Sequence, residues 1–386
     1  MFEDHLQKLA QNHLLRRLTG IDSPSDPVIS LEDRSVLLFA SNNYLGLANH
    51  PKVKEAAMAA IQRYGVGTGA SRLISGSLTP HLRLEEQLAR FKGTEAALTF
   101  SSGYATNAGT IPNLAGRDGL ILADRLCHAS LFEGCRLSQA TLRIFHHNDV
   151  DHLKKLLSRR SAQRPTLIIT EGVFSMDGDL APLSDIVALA KSFEATLLVD
   201  DAHGTGVMGK TGRGTAEHFG VPSRDLLHMG TLSKAVGVSG GFIAGPEDCI
   251  HYLINTSRPF IFSTASPAAL AAAASAALDL IQLEPERRVR MWENRARLWQ
   301  GIQSMGFQMT ASQSPILPII LQDPERATQM SGALLKEGIL IPAIRPPSVP
   351  KGTSRIRITV TADHSSAHIE SCLSVLQKVG KGLNII

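Results

Sequence analysis

Lys234 stands in a setting that suits a reactive amine. The run Thr231-Leu232-Ser233-Lys234 precedes the glycine-rich Ala-Val-Gly-Val-Ser-Gly-Gly, so this lysine is not expected on a solvated helix face. An amine attacks an aldehyde when burial or a neighbouring cation lowers its pKa, and Schiff-base lysines depend on that shift. Most lysines, however, are ordinary surface residues. Lys234 alone therefore leaves both interpretations open.

Three other residues are of types that can hold a nitrogen heterocycle. Asp200 closes the apolar run TLLVD, at the strand end where ligands collect in open α/β sheets. A carboxylate there can keep a pyridinium nitrogen protonated, so that the ring accepts electrons from a substrate carbanion. His203 can hydrogen-bond a ring oxygen, and His128, just after another strand, can stack on the ring. Taken singly, Asp200 is better explained as a cap or turn residue, and a lone histidine is more often structural.

A phosphate site is predicted where Phe100-Ser-Ser-Gly-Tyr-Ala-Thr-Asn107 turns from strand to helix. Small residues at the turn leave the amides of Gly103 and Tyr104 free to bind an anion at the helix N-terminus. The hydroxyls of Thr231 and Ser233 lie close to Lys234 in the chain, which would bring phosphate and aldehyde together. A capped helix start without a ligand is the competing interpretation.

Residues 204–211, GTGVMGKT, match both the dinucleotide pattern GxGxxG and the phosphate-loop pattern GxxxxGK[ST]. Either pattern binds phosphate only if a helix begins at once. Here Gly212-Arg213-Gly214 follows, which opposes a helix, and a charged insertion, residues 200–203, separates strand from glycines. We therefore interpret this segment as a loop without a nucleotide. A nucleotide-dependent protein would show tight ATP or dinucleotide binding instead.

Composition predicts a globular enzyme of ordinary character. The chain has 386 residues, 43% hydrophobic and 19% charged, with a net charge of +4 and no long basic block. We expect no nucleic-acid partner, no membrane span and no metal site. The four cysteines form no CxxC pair, and the amphipathic first residues do not fit a secretory signal, so we expect a cytoplasmic protein with reduced thiols.

Apolar runs near residues 119–123, 166–170 and 196–200 alternate with helical patterns, which predicts a mainly parallel sheet covered by helices. The alanine-rich stretch 267–278 is too short to span a membrane and is interpreted as a packed helix. Long charged helical segments and short strands follow. The expected α/β organisation is an N-terminal arm over 1–45, a large domain over 46–280 and a smaller α+β domain over 281–386.

These residues together resemble the α-oxoamine synthases, a family of fold-type I pyridoxal-phosphate transferases. The resemblance runs nearly end to end and is carried by TEGVFSMDGD (170–179), VDDAHGTGV (199–207) and IRPPSVPKGTSRIRIT (344–359). It implies pyridoxal 5'-phosphate as cofactor, with a large cofactor-binding domain. It also implies a homodimer whose active sites are shared between subunits, and it argues against a silent scaffold subunit, because Lys234 is present.

The resemblance assigns roles position by position. Lys234 becomes the Schiff-base lysine, Asp200 the pyridinium partner, His203 the partner of the ring oxygen and His128 the stacking residue. Further cofactor contacts are implied for Ser102, Gly103, Tyr104, Glu171, Ser175, Thr231, Ser233, Ser263 and Thr264. Of these, Ser263 and Thr264 are implied to reach the phosphate of the neighbouring subunit.

Substrate contacts are also implied. Asn42 and Arg357 correspond to the anchors of an amino-acid carboxylate, and Arg16 and Ser348 to positions near the acyl substrate, with His128 beside both. Ser348 replaces the threonine of the family pattern, and Asn43 replaces an aspartate. The 344–359 segment favours the branch that condenses L-alanine with a pimeloyl thioester, on coenzyme A or a carrier protein, in biotin synthesis. Glycine C-acetyltransferase or another member of the family is the alternative.

Overall fold

The computed structural model describes residues 2–386, in two compact units. The large unit comprises residues 50–174 and 180–285. The small unit comprises the residues up to 49, the short segment 175–179 and residues 286–386. Each unit has its own hydrophobic core.

The helices include those expected after residue 102 and in the alanine-rich stretch. They are α1 (Phe2–Gln11), α2 (Pro51–Tyr64), α3 (Thr79–Lys92), α4 (Gly103–Ala115), α5 (Ala129–Ser138), α6 (Val150–Ser158), α7 (Leu183–Ser192), α8 (Thr215–His218), α9 (Glu247–Thr256), α10 (Arg258–Ile261), α11 (Ala268–Leu283), α12 (Pro285–Ser304), α13 (Pro324–Lys336) and α14 (Ser366–Gly382).

The strands are short and apolar. They are β1 (Val28–Leu31), β2 (Arg34–Leu38), β3 (Ala96–Phe100), β4 (Leu120–Asp124), β5 (Thr141–Phe145), β6 (Thr166–Glu171), β7 (Thr196–Asp200), β8 (Leu227–Thr231), β9 (Gly241–Gly245), β10 (Ile316–Gln322), β11 (Ile339–Leu340), β12 (Ala343–Ile344) and β13 (Ser354–Thr359).

A seven-stranded sheet in the order β3-β9-β8-β7-β6-β4-β5 forms the centre of the large unit. Strands β5, β4, β6, β7 and β8 are mutually parallel, and β9 alone runs opposite, antiparallel to both β8 and β3. The carboxyl ends of the parallel strands therefore meet at one edge. The mainly parallel sheet expected from the sequence is confirmed.

Both faces of this sheet are buried, which explains why its strands read as continuous apolar runs. Ile121, Ile169 and Leu198 contribute to a core cluster on one face, while their neighbours Leu122 and Ile168 contribute to the cluster on the other. Side chains alternate between faces along a strand, so each strand supplies both cores. The site at the strand ends thus rests on a rigid support.

The small unit contains two three-stranded sheets, β1-β2-β11 and β10-β13-β12. The second sheet packs with α12, α13 and α14 around a core that includes Leu298, Ile319, Ile356 and Leu376. The α+β character expected for the C-terminal region is present. Residues 28–38 belong to this unit, since β2 pairs with β11 in parallel.

Helix α11 is the packed helix expected from the alanine-rich stretch, with Ala274, Ala277 and Leu278 fully buried. Small side chains allow it to lie close to α2, the helix with which it makes its most extensive contact. Among residues 2–386 no helix combines the length and apolar character needed to cross a bilayer.

Candidate active site

The ends of the parallel strands carry the polar residues of the candidate site. Asp200 is the last residue of β7 and pairs in register with Glu171 of β6 and Met229 of β8. Thr231 ends β8, and His203 lies in the turn after β7. Asp200, Glu171, His203 and Thr231 are all buried. The sheet topology therefore brings together Glu171 and Thr231, which are 60 positions apart in the sequence.

Asp200 is a buried carboxylate held by uncharged donors. Its side chain is 5% exposed. The amide nitrogen of Asn107 donates to Oδ2 at 2.9 Å, and the backbone N–H of Ala202 donates to Oδ1 at 3.1 Å. Burying an ionised carboxylate is costly unless a positive charge or several donors compensate. A protonated ring nitrogen would supply the cation that these hydrogen bonds lack.

His128 is the N-cap residue of α5, where its Nδ1 accepts from the backbone N–H of Ser130 at 3.2 Å. The hydroxyl of Ser130 lies 2.8 Å from the same nitrogen. Burial lowers the pKa of His128, an effect that Asp200 opposes and the charge of Lys234 reinforces. The imidazole is therefore neutral near pH 7, as suits a ring that stacks on another ring.

The predicted strand-to-helix turn is present. Strand β3 ends at Phe100, and Ser102 caps α4 by accepting from the N–H of Ala105 at 3.0 Å. Gly103 and Tyr104 begin the helix, so their amides have no acceptor within it. A Cβ on Gly103 would lie 3.1 Å from Met229 Cε, so glycine lets the helix start approach the end of β8. This turn can bind a phosphate.

The hydroxyls of Thr231 and Ser233 are both used within the loop after β8. Each donates to the carbonyl oxygen of Gly240, at 2.9 and 3.2 Å, and Thr231 Oγ1 also accepts from the N–H of Ser233. Lys234 is half-buried and begins a turn closed by the N–H of Gly237. These bonds fix the loop that carries Lys234, while the hydroxyl oxygens keep lone pairs for further donors.

Residues 201–214, which follow Asp200, are fastened by a buried ion pair. Lys92 Nζ lies 3.0 Å from Asp201 Oδ2, and also donates to Thr205 Oγ1 and to the carbonyl oxygen of Arg213. Both charged side chains are almost fully buried, at 1% and 3% exposure. A charge with this many partners is compensated. The segment that carries His203 is therefore anchored at both ends.

At the end of the segment 204–211, which matches the phosphate-loop pattern, the hydrogen-bond donors are occupied by a carboxylate of the protein itself. Glu217 accepts from the N–H groups of Thr211 and Arg213, each at 3.0 Å, and from the Thr211 hydroxyl at 2.8 Å. Burial would raise the pKa of Glu217, but these hydrogen bonds outweigh it and hold the pKa below its usual value. Helix α8 is short and begins only at Thr215. The interpretation of this segment as a loop without a nucleotide agrees with that geometry.

In the small unit, Arg357 lies within hydrogen-bond distance of Asn42, and the resemblance implies a carboxylate anchor at these two residues. Arg357, in β13, is buried and donates from Nη1 to Asn42 Oδ1 at 3.2 Å and from Nε to the carbonyl oxygen of Ser175 at 2.7 Å. Tyr44, also buried, donates to the same Asn42 oxygen at 3.2 Å. Burial raises the pKa of Tyr44, although the charge of Arg357 opposes this. The guanidinium orientation is thus fixed.

Other predicted residues lie on the surface. Arg16 is exposed and donates from Nη2 to the carbonyl oxygen of Pro346 at 3.2 Å, which ties it to the segment that contains Ser348. Ser263 and Thr264 are exposed after α10 and line a small cavity with Arg72 and Ser101. Their exposure agrees with a role toward another subunit but does not test it.

One group among residues 2–386 has ligand atoms close enough to hold a metal ion, namely His146, Asp149 and His152. It follows β5, the edge strand of the large sheet. The backbone N–H of His146 already donates to His152 Nδ1 at 3.1 Å, which uses that lone pair. We therefore assign no metal to this group.

Comparison with known proteins identifies the family. A family model described as aminotransferase class I and II matches residues 34–376. The chain belongs to the aminotransferase class I and II family.

Relatives narrow the place of the chain within the class I and II aminotransferase family. An 8-amino-7-oxononanoate synthase of Geobacter sulfurreducens is 47% identical over 99% of this chain and 98% of its own. A protein of the same name from Bacillus subtilis is 42% identical over 99% of this chain and 97% of its own. The resemblance to α-oxoamine synthases is confirmed.

A solved structure of SPT, serine palmitoyltransferase, with a PLP internal aldimine has a TM-score of 0.95 to this chain. It is 33% identical, and the match covers 100% of this chain and 98% of that one. The fold-type I assignment is confirmed.

The large unit fits the phosphorylated pyridine aldehyde that members of this family bind. Asp200 is buried without a hydrogen-bonded cation, which matches a protonated ring nitrogen. The start of α4 offers amides to a phosphate, and a glycine there keeps the approach open. The carboxylate at the end of β7 and the anion-binding start of α4 were predicted from the sequence separately. The sheet places both at its carboxyl edge.

Sequence reasoning missed Asn107, Ser130, Tyr44 and Lys92. Asn107 is a polar residue in a helix of small side chains, at the end of the strand-to-helix segment 100–107. This pattern is a signal for a buried contact. Tyr44 lies two positions after Asn42 in the sequence. Lys92 gave no signal, because its partner Asp201 is 109 positions away.

Proposed function

We propose that this protein is an 8-amino-7-oxononanoate synthase that uses pyridoxal 5'-phosphate. It joins the α-carbon of L-alanine to the carbonyl carbon of a pimeloyl thioester, on coenzyme A or a carrier protein. The thiol and carbon dioxide leave. The observation that carries the proposal is 42–48% identity over nearly the whole chain to relatives of that name. The buried Asp200 supports the cofactor.

The cofactor, when bound, withdraws electrons from the alanine α-carbon. Lys234 would hold the cofactor and then move the α-proton. Asp200 would keep the ring nitrogen protonated, His128 would stack on the ring as a neutral imidazole, and His203 would hydrogen-bond the ring oxygen. Arg357 holds the alanine carboxylate through its planar fork, which Asn42 orients.

The cofactor phosphate is assigned to Ser102, Gly103, Tyr104, Thr231 and Ser233. Helix α4 presents its N-terminal amides to the anion. Glu171 and Ser175 lie beside the ring in this proposal. Arg16 and Ser348 contact the acyl chain.

We further propose a cytoplasmic homodimer. Large apolar side chains are exposed near Ser263 and Thr264 in the sequence and between α2 and α3, including Phe262 at 71%, Ile74 at 81% and Val66 at 77%. Exposed apolar side chains of this size support the proposal of an interface between subunits. All four cysteines are free thiols, which suits a reducing compartment.

Replacement of the Schiff-base lysine tests the cofactor role. Lys234→Ala should remove the visible absorption band of the bound cofactor and lower turnover at least about 100-fold, because a positioned general base is lost. Lys210→Ala, in the loop closed by Glu217, is the matched control and should keep both. Normal turnover by Lys234→Ala would refute the assignment.

Substrate pairs test the reaction. Thiol release should be fast with L-alanine plus pimeloyl-CoA and weak with glycine plus acetyl-CoA. L-serine plus palmitoyl-CoA is the third pair, since the TM-score of 0.95 to serine palmitoyltransferase favours that activity as the second candidate. Preference for either alternative pair would move the assignment within the family.

A further inference from the structure

Asn107 is fully buried on α4, one turn beyond the helix start that faces the phosphate. Its amide nitrogen donates to Asp200 Oδ2 and to Ser130 Oγ, each at 2.9 Å. An ionised carboxylate can only accept, so the nitrogen, and not the oxygen, of the amide must face Asp200. Both N–H groups of this one nitrogen are therefore committed.

Ser130 is the second residue of α5 and lies between Asn107 and His128. Its oxygen accepts from Asn107 and lies 2.8 Å from His128 Nδ1. The backbone N–H of Ser130 donates to the same nitrogen at 3.2 Å. A backbone N–H cannot accept, so Nδ1 must be unprotonated, and the Ser130 O–H therefore donates to it as well.

The tautomer of His128 follows from these two donors. The neutral ring carries its proton on Nε2, and protonation of Nδ1 would break both hydrogen bonds. The lowered pKa of His128, caused chiefly by burial, acts in the same direction. One chain of hydrogen bonds thus runs from the carboxylate of Asp200 through Asn107 and Ser130 to the imidazole.

We propose that Asn107 and Ser130 are positioning residues that couple Asp200 to His128. They aim the Asp200 carboxylate at the ring nitrogen and hold His128 as the neutral Nε2–H tautomer, so that both partners of the cofactor ring are set by one network. The inference rests on the proposed function for the identity of the ligand that Asp200 and His128 bind. The hydrogen-bond network itself does not depend on that function.

Cofactor binding gives the first test. The dissociation constant for pyridoxal 5'-phosphate, from absorbance titration, should rise about ten- to a hundredfold in Asn107→Ala, because a donor to a buried charge is lost. Ser130→Ala should raise it about three- to tenfold although Ser130 does not touch Asp200. The double variant should bind no worse than Asn107→Ala alone. Fully additive losses would overturn the coupling.

Histidine-labelled protein gives a second readout that needs neither cofactor nor activity. Nitrogen NMR of the cofactor-free protein should show His128 as the Nε2–H tautomer. Ser130→Ala should raise the pKa of His128, since a hydrogen bond to the neutral form is lost, and Ser130→Thr, which keeps the hydroxyl, should restore it. An unchanged pKa in Ser130→Ala, or an Nδ1–H tautomer in the unaltered protein, would refute the proposal.

Ser138→Ala is the matched control. Ser138 is also a buried serine of α5, but its hydroxyl donates to the carbonyl oxygen of Cys135. It should change neither the cofactor dissociation constant nor the pKa of His128. A change in both the dissociation constant and the pKa of His128 in Ser138→Ala would mean that helix packing, and not the network, governs them. If the NMR result holds while every substrate pair fails, the proposed function is wrong and the network stands.

Discussion

The guanidinium of Arg357 illustrates how one side chain acquires specificity from its neighbours. Two of its N–H groups are held by Asn42 Oδ1 and by the carbonyl oxygen of Ser175. Fixing a long side chain in advance reduces the entropy lost when a ligand binds. A planar fork held in this way favours a planar carboxylate over other anions.

Arg357→Lys should therefore not be conservative. Lysine keeps the charge but offers no fork, so the KM for L-alanine should rise about ten- to a hundredfold, which corresponds to hydrogen bonds to a charged group. Steady-state kinetics with varied alanine measure this. Arg136→Lys, on the exposed part of α5, is the control and should change nothing. A KM within twofold of the unaltered protein's would exclude Arg357 as the anchor.

At the scale of elements, the segment after β7 depends on a lysine from the end of α3. Lys92 is enclosed by Asp201, Thr205 and the carbonyl oxygen of Arg213. Burial lowers the pKa of His228 to about 4, and the charge of Lys92 contributes to this shift. The position of His203 is thus maintained by electrostatics that lie outside the proposed cofactor contacts.

Removal of that charge should destabilise the protein strongly. Lys92→Met leaves Asp201 buried without a cation and should cost about 3–5 kcal/mol in the free energy of unfolding. Lys378→Met breaks a surface pair with Glu337, in which the side chains are 67% and 35% exposed, and should cost less than about 1 kcal/mol. Denaturant midpoints of the two variants measure the contrast. Equal losses would show that burial does not govern these pairs.

At the scale of the whole molecule, the proposal of shared active sites concerns Ser263 and Thr264. Both are exposed, although they line a cavity with Ser101 beside the start of α4. A symmetric dimer gives two equivalent sites, each completed by the other subunit.

Mixed dimers test this directly. Lys234→Ala and the double variant Ser263→Ala/Thr264→Ala should each be nearly inactive alone. After dissociation and reassociation in equal amounts, about a quarter of the original activity should return, because half the dimers are mixed and each has one intact site. If both sets of residues served the same subunit, mixing would restore nothing. A mixture of the unaltered protein with Lys234→Ala should keep half of the original activity whether or not subunits exchange, which shows that the dissociation step itself inactivates no site.

The sequence by itself determined the strands β4, β6 and β7, the chemical types at their ends and the loop that carries Lys234. These follow from local rules. Continuous apolar runs specify buried strands, glycines disfavour a helix after residue 211, and Ser102 caps the helix that follows β3. The family resemblance added roles for Lys234 and Asp200, because its motifs are local as well.

Only the tertiary structure decided which distant side chains meet. Asn107 reaches Asp200 across 93 positions, Lys92 reaches Asp201 across 109, and Arg357 reaches Ser175 across 182. Such contacts depend on strand order and on the direction of single side chains, which no periodicity encodes. The reversed direction of β9 was likewise unreadable, since buried parallel and antiparallel strands share one apolar pattern.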